Sequence, residues 1–375
     1  MMNVYLFRGN HPLYETFTNY PPAGVNYLPK RESHGPEEYT LYTGKTGLMR
    51  TLLDGSLAVA GLPRFVPVPR KYDLVHSSRG FLAVGPNRFV VDIEHISSFA
   101  GMRHKMLSVR RFRKITEKVL LSKKCSALLP HSEAAMRTVS LLSNDRRIAE
   151  KSTVVYPAIQ PPGNLVTRRD DAEPHLLFIG EYLWKGGREF LEACETLADK
   201  LDFRVTYISL RVHPPEPVIR HFSRILNVNF IEGPIPRESL MAELYPETDV
   251  FVMPTYIDTF GYSYLEAMAH GIPCIGCRIF AVPEIINDHL TGLLVDPATS
   301  FFDARGLGHP EMSLQDVKAP NTVRQLSDAI GELIGSRSLR ERMGTNALKE
   351  TRSGRFSVAQ RNKQLKEIYE RSMAV

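Results

Sequence analysis

A chain of 375 residues is too long for one ordinary domain, so two domains of similar size are expected. Its 43% hydrophobic and 23% charged residues are those of a folded, water-soluble protein, and they exclude disordered, fibrous and membrane-spanning classes, since no apolar run nears the ~18 residues of a spanning helix. The net charge of +6 is unevenly placed: Arg103 to Lys124 holds nine basic residues against one acid, Glu117.

Short β-rich apolar runs alternate with helical patterns along the chain, the mark of βαβ units around parallel sheets. The opening MMNVYLFRGNHP turns polar too soon for a signal peptide, which points to the cytoplasm. Strands are then predicted at NVYLF, LVHSS, RFVVDIE and SALLPHS, with a basic helix between the last two. Within that helix Phe112, Ile115 and Val119 recur at helical spacing. Residues 103–124 are therefore expected either to lie on an anionic membrane, making the protein peripheral to it, or to form a solvated charged face. No recognition motif or aromatic-basic interleaving accompanies the charge, so nucleic acid is not an expected partner. The Pro-rich passage from Pro157 to Glu173 reads as a linker, which bounds a first domain at 1–165.

A second doubly wound domain is predicted over 166–355, with strands at HLLFIG, FRVTYIS, VNFIE, VFVMPT, IPCIGC and TGLLVD and helices between them. From Pro297 to Pro320 the pattern gives way to a long polar loop of a kind that is functional or mobile. Cys125, Cys194, Cys274 and Cys277 are too few for a disulfide framework, and the lone C-x-x-C within IPCIGC is expected to pack rather than to hold a metal.

The stretch DTFGYSYLEAMAHGIPCIG follows the buried-looking strand VFVMPT. Its loop leaves a strand's carboxyl end, where ligands of open α/β sheets bind, and a helix starting near Gly261 offers free N–H groups to an anion. Asp258 in the loop and Glu266 in the helix can accept hydrogen bonds from vicinal hydroxyls. An anion site with two such acids suggests a nucleotide sugar, although an Asx-turn for Asp258 and a solvated helix face for Glu266 are competing readings.

DTFGYSYLEAMAHGIPCIG, with the downstream AVPEIINDHLTGLLVD, closely resembles the donor-binding segment of the family 4 retaining glycosyltransferases. The resemblance implies the GT-B fold, an α/β architecture of two Rossmann-like doubly wound domains facing a central cleft, with the closing helix 356–375 returning to the first domain. It implies transfer of a hexose from a nucleoside-diphosphate sugar to a hydroxyl of a glycan or lipid-linked acceptor, with retention at the anomeric carbon. LLFIGEYLWKGGREFLEA resembles the family's strand and K-G loop, which would place Lys185 on the donor diphosphate. Phe260, Gly261 and Tyr262 would form the donor loop, Asp258 would orient the sugar and Glu266 would hold the ribose. FVVDIEHISSFAG resembles the strand whose histidine lies near the reacting sugar, here His95, and YPPAGVNY stands where a Gly-rich loop approaches the donor, keeping only Gly24. No D-x-D is present in the expected loop, and no metal or other cofactor is expected.

Two departures stand out. The first acid is Asp258 where the family has Glu, and Glu181 stands where the family has an Arg for the diphosphate. Arg188 is the candidate for the second cation, against a reading as a solvated first-turn residue. A nucleotide-sugar epimerase and a non-catalytic nucleotide-sugar-binding protein are the alternative functions. Sugar, base, acceptor and oligomeric state are not encoded in any motif.

Overall fold

The computed structural model describes residues 1–7, 11–28, 44–68, 70–163 and 173–374. They divide into two compact units, the first built from Met1–Ala158, Asp303–Pro310 and Val358–Val375, the second from Ile159–Phe302 and Glu311–Ser357. The first boundary thus falls at Ala158 rather than near 165, and residues 164–172 of the predicted linker lie outside the described residues. Part of the polar loop after Pro297, Asp303–Pro310, belongs to the first unit.

In the first unit a parallel sheet of five described strands runs in the order β2-β1-β4-β6-β7. These are β1 (Met2–Phe7), β2 (Val25–Leu28), β4 (Leu74–Ser77), β6 (Phe89–Ile93) and β7 (Cys125–Pro130). Both β4 and β6 are buried at every residue, which is why β6 reads as a mostly apolar run rather than an alternating one, while β4 buries the polar His76 and Ser77. Two strands of three residues, β3 (Phe65–Pro67) and β5 (Leu82–Val84), pair separately and are too short to leave a periodic signal.

The basic helix Arg110–Leu121 turns its apolar side to the core. Phe112, Thr116 and Leu120 are buried in the core and Val119 packs against it, so its apolar stripe is spent inside the unit. Arg110, Arg111, Lys114 and Lys118 remain exposed. Lys151 Nζ donates to the carbonyls of Leu120, Ser122 and Cys125 at 3.2, 2.9 and 2.9 Å, satisfying acceptors that the helix end leaves open.

The last helix, Val358–Ala374, packs in this unit through Leu365, Ile368 and Tyr369. Arg361, only 1% exposed, donates to Thr16 O and Tyr20 O at 3.0 and 3.1 Å and lies over the Phe17 ring. A buried guanidinium is tolerable only when its donors are satisfied in this way.

The second unit has a parallel sheet of six described strands in the order β10-β9-β8-β11-β12-β13. They are β8 (His175–Gly180), β9 (Arg204–Ser209), β10 (Asn227–Glu232), β11 (Val250–Met253), β12 (Cys274–Cys277) and β13 (Gly292–Val295). Strand order reverses between β8 and β11, so the loops leaving their carboxyl ends flank the crevice where such sheets bind ligands. Cys274 and Cys277 are buried in β12, and burial pushes both thiols up, which leaves them as protonated packing groups. The predicted helix RESLMAELYPE is broken into Arg237–Ser239, a π-helical Leu240–Leu244 and Tyr245–Glu247, consistent with Pro246 removing a backbone donor.

Candidate functional site

The two loops at the β8/β11 switch are tied to each other. Tyr256 N and Thr255 Oγ1 both donate to Trp184 O, at 3.0 and 3.3 Å. Gly186 sits at φ +74°, and a Cβ there would collide with the Pro254 carbonyl, so only glycine lets the K-G loop close on the strand. This brings Lys185 Nζ to 2.8 Å from both Ile257 O and Asp258 Oδ2. The pair is partly exposed, with 26% of the lysine and 16% of the aspartate side chain open to solvent. Asp258 Oδ1 also accepts from Phe260 N at 3.2 Å, so the Asx-turn is present as well as the ion pair.

Helix Tyr262–Ala269 begins immediately after Gly261, whose φ of +94° turns the chain. A Cβ at Gly261 would stand 2.7 Å from Tyr264 Cδ2. No side chain caps this helix start, so the positive end of its dipole is available to an anion. Phe260 and Tyr262 are themselves buried and fix the loop: Phe260 packs edge-on to Phe356 with centroids 6.4 Å apart. The hydroxyl of Tyr264 donates to Met253 O, pinning the helix to the end of β11.

Glu266 is not a solvated helix face. It is 7% exposed, and its Oε1 accepts from Arg237 Nε at 2.9 Å while Oε2 accepts from Tyr245 OH at 3.2 Å. Burial, with the Glu266 charge beside it, raises the Tyr245 phenol well above its usual range, so it stays a donor. These two bonds hold the carboxylate in a fixed orientation.

His95 and Gly24 lie in the first unit, Lys185, Asp258 and Glu266 in the second. His95 is fully buried, and both ring nitrogens are engaged: Nδ1 accepts from Ser97 N at 2.9 Å and Nε2 donates to Gly306 O at 2.6 Å. Burial, opposed by the Gly306 bond, lowers its pKa to about 4, so it is a neutral imidazole with the proton on Nε2. In this arrangement it anchors the Asp303–Pro310 segment rather than facing an open site. Gly24 forms a turn at φ +83° whose carbonyl accepts from Met2 N at 2.7 Å. Neighbouring Asp92 is buried among Tyr14, His76 and His131, with Tyr369 OH on the far side of His76. Burial would raise its carboxyl, yet the charge of His131 and the bonds from both histidines hold it far below the usual range.

Residues 173–305 match the family model described as glycosyl transferases group 1. That stretch of the second unit is similar to a group 1 glycosyltransferase domain. The chain is 28% identical over 207 residues to a D-inositol 3-phosphate glycosyltransferase of Corynebacterium glutamicum, covering 52% of this chain and 43% of that one. It is 30% identical over 123 residues to an uncharacterized 41.2 kDa protein in the cps region of Klebsiella pneumoniae, covering 32% of each. The matches thus span less than half the length of these curated relatives. Among solved structures, Anabaena HepE in complex with UDP-glucose aligns at a TM-score of 0.59 and 14% identity, covering 99% of this chain and all of that one. A Rickettsia africae glycosyltransferase aligns at 0.56 and 14%, covering 98% and 89%. At such identities the likeness shows the fold, which is GT-B.

In the second unit one cation assignment changes. Arg188 is committed elsewhere: it pairs with the buried Glu189 at 2.7 Å and donates to Leu314 O, Gln315 O and Val317 O. Spending its donors there, it clamps the Glu311–Ala319 stretch and is not open to a diphosphate, because releasing it would strand a buried carboxylate. Glu181 lies 3.9 Å from the exposed Arg211, a pair that offsets part of its repulsion. Arg237 and Tyr245 were not identified as site residues from the sequence, since the only signal was a helical-looking RESLMAELYPE. Among the described residues no group of three His, Cys, Asp or Glu converges as a metal site.

Proposed function

We propose that the protein is a retaining glycosyltransferase that moves a hexose from a nucleoside-diphosphate sugar to a hydroxyl of a glycan or lipid-linked acceptor, without a metal ion. The observation that carries this reading is the placement of Lys185, Asp258, the uncapped helix start after Gly261 and the oriented Glu266 around one strand-order switch. The likeness to HepE, which binds UDP-glucose, supports a nucleotide-sugar donor.

In the reaction the bond between the anomeric carbon and the diphosphate oxygen breaks, a bond from the acceptor oxygen forms, and the acceptor proton leaves on the diphosphate. Lys185 has three N–H donors, two of them used by Ile257 O and Asp258, so the third is available to the departing phosphate. That cation and the helix dipole stabilise charge that grows in the transition state. Glu266 takes the ribose hydroxyls, and Asp258 sits where it can orient the sugar while holding Lys185. Base selection falls to the backbone near Glu232 and Gly233.

Thermal unfolding with UDP, GDP, ADP and NAD, each alone, tests this. A ligand at about 100 times its dissociation constant adds roughly 2.7 kcal/mol. One nucleoside diphosphate is expected to stabilise the wild type and not Lys185→Ala; no shift with any of them sinks the reading. A nucleotide-sugar-binding protein without transfer is the second reading, favoured by the closed surroundings of His95. Donor binding with neither transfer nor hydrolysis across an acceptor panel would select it.

A further inference from the structure

The first unit carries a recess of about 550 Å³ that plays no part in the donor site. Three segments meet in it: helix Glu133–Arg137 with the turn that follows, helix Arg146–Glu150, and the inserted Asp303–Pro310. Arg137, Arg146 and Arg305 line it together with Ser140, Asn144 and a single carboxylate, Asp145. That carboxylate is already neutralised: Arg147 Nη2 lies 2.6 Å from one oxygen, and Arg147 N and Nε each lie 3.0 Å from the other. Arg305 is paired with Asp303 at 3.2 Å, whereas Arg137 and Arg146 have no acid partner among the described residues.

Two uncompensated guanidinium groups on separate helices, facing one concave volume, repel each other and are offset by a shared anion. Guanidinium forks match tetrahedral oxyanions better than single carboxylates, and the volume lies within the range of small-molecule sites. The recess also borders the exposed basic helix, since Arg113 Nε donates to Leu142 O at 3.1 Å and Ser143 Oγ donates to Glu117.

We propose that this arginine-lined recess is a second anion site, taking a phosphate or diphosphate group through Arg137 and Arg146, with Arg305 on its rim. The group belongs to a soluble phosphoester or to a lipid headgroup. The inference does not depend on the donor reading, because the recess and Lys185 lie in different units.

Calorimetric titration of the full chain with inorganic pyrophosphate, at fixed ionic strength, tests it on the wild type, on Lys185→Ala and on the Arg137→Gln/Arg146→Gln pair. Wild type is expected to show two binding components, Lys185→Ala to keep the recess component, and the arginine pair to lose it by at least tenfold. Both arginines are exposed, so an unchanged melting temperature is expected to exclude misfolding. A pyrophosphate isotherm that the arginine pair does not alter overturns the proposal, whatever Lys185→Ala does. Vesicles then separate the sources: tighter binding to phosphatidic acid than to phosphatidylserine at equal charge, lost in the arginine pair, assigns a lipid phosphomonoester. Equal binding to the two, with the pyrophosphate component intact, assigns a soluble phosphoester.

Discussion

Lys185 Nζ and Asp258 Oδ2 lie 2.8 Å apart, joining the K-G loop after β8 to the donor loop after β11. The two residues are 73 positions apart in the chain and meet because β8 and β11 are neighbours in the sheet. Lys185→Ala removes a charge aimed at the leaving group and is expected to lower kcat/KM by about 10² to 10³. Asp258→Asn frees Lys185, so nucleoside-diphosphate affinity should hold or improve while kcat falls. Parallel loss of affinity in both variants would mean that Asp258 serves the nucleotide rather than the sugar.

Arg237 and Tyr245 hold Glu266 from two sides, and their effect should be read on the ribose. Arg237→Ala is expected to weaken the donor by about 1.5–3 kcal/mol, the range for a bond to a charged group, and Tyr245→Phe by about 1 kcal/mol. A nucleotide lacking both ribose hydroxyls should show little change across the same variants. If both nucleotides weaken equally, Glu266 is a structural anchor of its helix and does not read the ribose.

What was legible in the sequence follows from burial. Strands such as HLLFIG and VFVMPT are buried on both faces and announce themselves as apolar runs, and Gly261 and Gly271 bracket a helix in the way local backbone rules demand. The three-residue strands β3 and β5 carry no period to detect. Arg188 looked free because its partners, three carbonyls around 314–317, belong to a stretch without local pattern, and a side chain's choice of distant carbonyls leaves no trace in spacing. His95 shows the same limit: the motif identified the residue, but its bond to Gly306, 211 positions away, is a tertiary fact.

The exposed face of helix Arg110–Leu121 makes a distinct prediction about membranes. With Phe112 and Leu120 buried, no apolar stripe is left to insert, so attraction to anionic vesicles is expected to be electrostatic alone. Sedimentation with vesicles should fall steeply between 50 and 300 mM salt, concentrations at which the Debye length shrinks from roughly 14 to 6 Å. Arg111→Glu/Lys114→Glu should remove it. Salt-insensitive binding would require an apolar insertion elsewhere.

The paired rings of His95 and His104, with centroids 4.6 Å apart, predict how stability depends on pH. Burial lowers each to about 4, against an ordinary value near 6.5. Below about pH 6.5 the unfolded chain therefore binds protons that the folded chain refuses, so stability falls as pH drops from about 6.5 towards 4 and levels off beneath that. Each histidine contributes on the order of 3 kcal/mol at most across this window, and the two contributions are not independent because the rings share one site. Asp92, held below the usual carboxylate range, adds a loss of its own only beneath about pH 4, where the unfolded carboxyl takes up its proton. Melting temperatures measured from pH 7.5 to 4.5 should decline most steeply between 6.5 and 4.5. His95→Asn, which keeps a polar group near Gly306 O without a titrating ring, should flatten that slope even where it lowers stability at neutral pH. An unchanged slope in the variant would move the acid sensitivity away from this pair.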